Sequence, residues 1–66
     1  MRIVLNGDTM ELGDESSLAD LVEQLGLGEK RFAAEVNMEI VPRSQHGTLR
    51  LSDGDQVEIV QAIGGG

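Results

Sequence analysis

The sequence predicts an α+β fold: a mixed sheet of four to five strands with one main helix packed on one face. Three observations predict it. Short apolar and β-branched runs recur between turn dipeptides such as Asn6-Gly7 and Gly13-Asp14. One stretch carries helical periodicity, and it lies between two hairpin-like segments. A chain of 66 residues has room for one domain.

Residues 2–6 are rich in β-branched side chains and read as a strand. Asn6-Gly7 is a turn signal, because both residues tolerate positive φ. Residues 9–12 follow as the second arm of a hairpin, with Met10 and Leu12 on one face. Gly13-Asp14 ends it. Ser17 can cap a helix, and Asp20, three residues on, sits near the positive end of the helix dipole. Leu18, Leu21, Val22 and Leu25 then recur at i, i+3, i+4 and i+7, which makes one apolar helical face. Gly26 is a natural left-handed stop, and Leu27 can pack back on the last turn.

Residues 32–36 alternate Phe32, Ala34 and Val36 against Ala33 and Glu35, a second strand pattern. Asn37-Met38 reads as a turn and residues 39–41 as a short strand. Pro42 ends that strand, since proline cannot donate to a ladder. Residues 43–47 are irregular, with room for one helical turn. Residues 49–51 read as a short strand, and Asp53-Gly54-Asp55 as a tight turn. Residues 57–63 form the last strand, apolar enough to lie inside a sheet.

A helix between two hairpins must cover one sheet face. The economical closure sets the first and last strands side by side and parallel, joined by a right-handed crossover. That is the β-grasp, or ubiquitin-like, roll. It is expected over residues 1–63, with residues 64–66 as a flexible C-terminal glycine tail.

Composition removes whole classes of function. Without cysteine there is no disulfide, no thiolate zinc site and no cysteine nucleophile. One histidine excludes a multi-histidine metal centre. Five Lys and Arg against twelve Asp and Glu give a net charge of −7, which disfavours nucleic acid. Phe32 is the sole aromatic side chain, so base-stacking platforms are missing. A chain this short buries only about 60% of its unfolded surface, so stability must come from a compact apolar core. The 39% hydrophobic residues can supply one. The apolar start at residues 1–5 is too short for a signal peptide, and no run approaches a membrane span. A cytoplasmic monomer without membrane contact is expected.

Enzyme constellations are missing too. No phosphate-binding P-loop motif is present. The four serines share only His46 as a potential base, and nothing in their spacing links them to it. His46, in a loop, reads as a solvated surface side chain. Asp53-Gly54-Asp55 lacks the downstream ligands of a calcium loop and reads as a turn. The remaining acidic residues read as a solvated surface, with steering toward basic partners as a second role.

Gly64-Gly65-Gly66 is different. One reading is an incidental flexible end. The other is that the C-terminal carboxylate of Gly66 is itself the reacting group. Glycine has no Cβ, so its backbone can thread a narrow channel, and its carbonyl carbon is unhindered. Three extended residues reach about 10 Å, enough to enter another protein. A free carboxylate is a poor electrophile and needs activation. With no nucleotide site in the chain, a partner must bind ATP and Mg²⁺ and form an acyl-adenylate. A sulfur nucleophile could then convert it to a thiocarboxylate.

Val41-Pro42-Arg43, Asp53-Gly54-Asp55, Val57-Glu58-Ile59-Val60 and the end Ala62-Ile63-Gly64-Gly65-Gly66 resemble the thiamine-biosynthesis sulfur carrier family, ThiS-type. The likeness covers essentially the whole chain. It implies a β-grasp carrier that is a protein co-substrate and not an enzyme, with no bound cofactor and no metal. Gly66 would be adenylated by an E1-like, ThiF-type enzyme at the expense of ATP and Mg²⁺. Sulfur would arrive through a cysteine desulfurase route, and the thiocarboxylate would serve thiazole synthase. Ala62, Ile63, Gly64 and Gly65 would be the tail that partners grip. Two positions depart from the family pattern. His46 stands where an aromatic, often tryptophan, is common, and Met38 where glycine is common. Two alternatives remain at this level. One is a carrier of the molybdopterin-synthase small-subunit type. The other is a non-catalytic ubiquitin-like binding module that uses the sheet face around Val4, Val60 and Ala62.

Overall fold

The computed structural model describes residues 1–28 and 30–61. Among them, five strands and one α-helix follow the predicted order. They are β1 (Arg2–Leu5), β2 (Asp8–Glu11), α1 (Leu18–Gln24), β3 (Phe32–Val36), β4 (Glu39–Ile40) and β5 (Gln56–Gln61), with a 3₁₀ turn at Arg43–Gln45. The sheet order is β2-β1-β5-β3-β4. β1 and β5 run parallel, Val4 opposite Gln56 and Leu5 opposite Val57. The other three pairings are antiparallel. The mixed sheet with its central last strand is therefore the predicted roll.

Both hairpins turn on two consecutive left-handed residues. Asn6 and Gly7 have φ of 49° and 88°, Asn37 and Met38 of 51° and 72°. Positive φ at both central positions matches the right-handed twist of the flanking strands. Methionine is an unusual occupant of this conformation, because its Cβ crowds the backbone there.

α1 is fixed at both ends by its own sequence. Ser17 Oγ accepts from the Asp20 amide at 3.1 Å, and the Asp20 carboxylate accepts from the Ser17 amide at 2.9 Å. This reciprocal box satisfies two backbone donors that the helix cannot. At the other end Gly26 is left-handed at φ 75°. The Leu27 amide donates to the Val22 carbonyl and the Gly26 amide to the Glu23 carbonyl, which satisfies these two carbonyls of the last turn.

The apolar face of α1 buries Leu18, Leu21 and Val22 against the sheet. Ile3, Ala34, Val57 and Ile59 rise from β1, β3 and β5 to meet them, with Leu12 and Leu51 closing the sides. Leu25 departs from the expected apolar face. It is the helix C-cap and is 37% exposed, because the chain turns away there and Leu27 packs on the core in its place. Residues 49–51 do not form a strand. They contribute one antiparallel bridge, Arg50 to Ser17, since the helix N-terminus offers them only a single rung.

No helix among the described residues is long and apolar enough to cross a membrane.

Candidate functional site

The predicted site residues Ala62, Ile63, Gly64, Gly65 and Gly66 lie outside the described residues. What the structure describes is the platform that precedes them. β5 lies between β1 and β3 and ends at Gln61, opposite Phe32. Val57 and Ile59 point into the core, and Gln56, Glu58 and Val60 point to the open face. The strand that leads to the C-terminus is thus the one most enclosed by the fold.

Phe32, at the start of β3, anchors a three-residue stack. The His46 ring lies against it at 5.5 Å between centroids and 27° between planes. The Arg43 guanidinium carbon lies 5.1 Å from the same ring centre. In a 3₁₀ turn residues i and i+3 eclipse each other, which brings Arg43 and His46 to the same ring. Arg43 also donates to the Gly28 carbonyl at 2.8 Å and the Lys30 carbonyl at 3.3 Å. The 3₁₀ turn is thereby tied to the loop entering β3.

His46 overturns its expectation as a solvated side chain. It is only 7% exposed. Its Nε2 lies 3.0 Å from the Val41 carbonyl oxygen, which can only accept, so Nε2 carries the hydrogen. A polar ring with one satisfied donor can cover the sole aromatic side chain as a larger apolar ring would. The one hint in the sequence was the departure itself: His46 occupies a position that favours an aromatic.

The turn at Asp53-Gly54 forms as predicted, with Asp55 bonded locally within it, whereas Asp53 bonds across to β1. Asp55 Oδ2 accepts from the Ser52 amide at 2.8 Å and Asp53 Oδ1 from the Arg2 amide at 2.7 Å. Asp55 Oδ1 also accepts from Asn37 Nδ2 at 3.0 Å. Among the described residues no group of three or more His, Cys, Asp or Glu could hold a metal ion. Asp20, in the capping box, has a displaced pKa. It is held below the ordinary aspartate value, chiefly by the Ser17 amide and then by the Ser17 hydroxyl.

The open sheet face carries apolar side chains out to solvent. Val60 is 63% exposed and Ile40 73%, while Met38 at the hairpin tip is 92% exposed. Glu35 and Glu58 face each other in register among them, a like-charge pair. Val4 lies on the same face beyond Gln56.

The arrangement is therefore a five-stranded sheet whose central strand precedes the glycine end in sequence. The model of the ThiS family matches residues 3–66, glycines included. The chain belongs to the ThiS family. It is 35% identical over 66 residues to the sulfur carrier protein ThiS of Escherichia coli, covering 100% of both chains. It is 38% identical over 66 residues to a thiazole synthase of Paramagnetospirillum magneticum, covering all of this chain but only 20% of that protein. The crystal structure of the thiamine biosynthesis protein ThiS from Geobacter metallireducens superposes with a TM-score of 0.83 at 28% identity, covering 100% of each chain. ThiS-family membership favours the thiazole-pathway expectation over the molybdopterin-synthase one.

Proposed function

We propose that this chain is the sulfur carrier of thiazole formation in thiamine biosynthesis, with Gly66 as the attachment point. The observation that carries the reading is the family match, which runs through the terminal glycine. The chain acts as co-substrate, and partners supply the catalysis.

In the activation step a Gly66 carboxylate oxygen attacks the α-phosphorus of ATP on a ThiF-type enzyme, and pyrophosphate leaves with the electron pair of the broken P–O bond. Mg²⁺ on that enzyme offsets the phosphate charge. A sulfur nucleophile at the oxidation level of sulfide then adds to the acyl carbon, and AMP leaves. One oxygen has been exchanged for sulfur. If a persulfide from a cysteine desulfurase route is the donor, a thiol must reduce the resulting acyl disulfide. The thiocarboxylate passes its sulfur to thiazole synthase. Relatives named thiazole synthase that contain a segment like this whole chain support that pairing. A cytoplasmic setting, where thiols stay reduced, suits such a terminus.

The platform fits a carrier. Residues 62–66 reach about 17 Å when extended, so the carboxylate can enter a partner while the sheet stays outside. Ala62, Ile63, Gly64 and Gly65 form the gripped segment. Ordering it costs about 1–2 kcal/mol per residue, which contacts along the tail must offset. The net charge of −7 steers the domain toward basic partner surfaces.

The test is intact-mass measurement after incubation with a ThiF-type enzyme, ATP, Mg²⁺ and a sulfur source. A gain equal to sulfur replacing oxygen, mapped to Gly66, is the expected result. An unchanged mass, or sulfur on another residue, refutes the proposal.

A further inference from the structure

Asn6 and Asn37 hold equivalent places in the two hairpins. Both are left-handed, at φ 49° and 51°, and both bond to β5 through their carboxamides. Asn37 Oδ1 accepts from the Gln56 amide at 3.0 Å, and its Nδ2 donates to Asp55 Oδ1 at 3.0 Å. Asn6 Oδ1 accepts from the Ile59 amide at 2.9 Å, and its Nδ2 donates to the Ile59 carbonyl at 3.3 Å. The difference lies in the residue that follows: Gly7 after Asn6, Met38 after Asn37.

That difference is chemical. An asparagine side chain reacts with the backbone nitrogen of the next residue. The nitrogen bonds to Cγ and the Cγ–Nδ2 bond breaks. Ammonia leaves, taking the proton that the backbone nitrogen gives up, and a cyclic imide remains. Water then opens the imide at either carbonyl. The products are aspartate and isoaspartate, and in isoaspartate the main chain runs through the side-chain carboxyl. Glycine offers the least hindered nitrogen, because it carries no Cβ. The side chain of Met38 crowds its own.

The fold withholds this reaction from Asn6 twice. Closing the imide needs the Gly7 nitrogen syn to Cβ about the Asn6 Cα–C bond. Left-handed backbone has ψ of about +47°, which sets that nitrogen nearly anti to Cβ. The carboxamide is the second restraint, since Ile59 holds both its oxygen and its nitrogen. Ile59 turns these groups toward β1, because its register partner in β3, Ala34, directs its own carbonyl to the Val41 amide. Asn6 is exposed, so backbone conformation and hydrogen bonds restrain it rather than burial.

We propose that Asn6-Gly7 is a self-modification site: an intramolecular deamidation site kept silent by the left-handed turn and by the backbone of Ile59. It reacts in chains whose first hairpin has opened, with water as the only co-reactant. Conversion is one-way. An aspartate here still accepts from the Ile59 amide but sets a carboxylate against the Ile59 carbonyl. An isoaspartate lengthens the turn by one backbone atom. Each event also adds one negative charge to the −7 of the chain. The modified residue is thus a chemical record of opening at this end of the sheet.

The test uses the wild-type full chain at mildly alkaline pH, folded in buffer and unfolded in guanidinium chloride. Intact mass reads the exchange of NH for O. Peptide mapping assigns it to Asn6 or Asn37 and separates aspartate from isoaspartate. In the unfolded chain Asn6 should convert more than about tenfold faster than Asn37. In the folded chain conversion at Asn6 should slow more than about a hundredfold. Hydrogen exchange sets the scale. The Ile59 amide is bonded to the Asn6 carboxamide, so one opening frees both. The slowing of deamidation should therefore be no smaller than the protection of that amide. Asn6→Asp, which makes the aspartate product directly, should unfold at a lower denaturant midpoint than wild type. Equal rates at Asn6 and Asn37 in the unfolded chain overturn the proposal, as do equal rates at Asn6 in folded and unfolded chains. Slowing well short of the Ile59 protection also overturns it, because the reaction then proceeds with the clamp closed. An Asn6→Asp midpoint equal to that of wild type overturns the one-way loss of the clamp.

Discussion

The guanidinium carbon of Arg43 lies 5.1 Å from the centre of the Phe32 ring, while its two nitrogens hold the Gly28 and Lys30 carbonyls. One planar cation thus joins the 3₁₀ turn, the loop after α1 and the first residue of β3. The side chain is solvent-exposed, so each contact is worth less than it would be in a core. Arg43→Ala should lower stability by about 1–2 kcal/mol in urea unfolding. Arg43→Lys should recover little of that, because an ammonium cannot fork between two carbonyls and lie flat on a ring. Full recovery by lysine would show that charge alone is at work.

His46 gives a sharper contrast. His46→Ala removes a buried ring from Phe32 and leaves the Val41 carbonyl without its donor. A loss of about 2–3 kcal/mol is expected. His46→Phe restores the stack but not the donor, and should fall between alanine and wild type. If phenylalanine matches alanine, the hydrogen bond and not the stack carries the contribution.

Core and tail should separate cleanly. Leu21 is fully buried under α1, and Leu21→Ala should cost about 2–5 kcal/mol. At temperatures where it remains folded, its adenylation rate should equal that of wild type. Deleting Gly66 should do the reverse: an unchanged unfolding midpoint with no thiocarboxylate in the intact mass. A truncated chain that still accepts sulfur would remove Gly66 from the mechanism.

Met38 tests the hairpin turn. It holds φ 72° with 92% of its surface exposed, and no compensating burial offsets the crowding of its Cβ. Met38→Gly should raise stability by about 0.5–1 kcal/mol, even after the greater freedom of glycine in the unfolded chain is counted. A destabilised variant would mean that the methionine makes a contact in the free protein that its exposure hides.

The fold was legible because local signals agreed with one another. Asn6-Gly7, the Ser17–Asp20 box and Gly26 each mark a boundary by backbone chemistry that acts within a few residues. The glycine end and the segments around it also pointed to the family from sequence alone. What stayed hidden were partnerships across distance. Asn6 reads as a turn former, and nothing nearby announces that its carboxamide will meet Ile59. His46 reads as polar and therefore outside, until the 3₁₀ turn sets it beside Arg43 on Phe32. Residues 49–51 have strand composition, but a strand needs a partner of equal length, and Ser17 offers one rung.

Asp20 supplies a prediction in pH. Its pKa is lowered below 3.8 because the folded helix start donates the Ser17 amide and hydroxyl to its charged form. The unfolded chain offers neither, so it binds the proton more tightly than the folded one. The stabilisation is therefore complete above the ordinary aspartate value and is lost as pH falls through the lower folded value. Urea midpoints measured from pH 5 downward should decline in wild type as the box is protonated. Asp20→Asn cannot titrate there, so its midpoint should start lower and approach that of wild type in strong acid. Curves that stay parallel throughout would show that the Ser17–Asp20 pair contributes nothing pH-dependent to the fold.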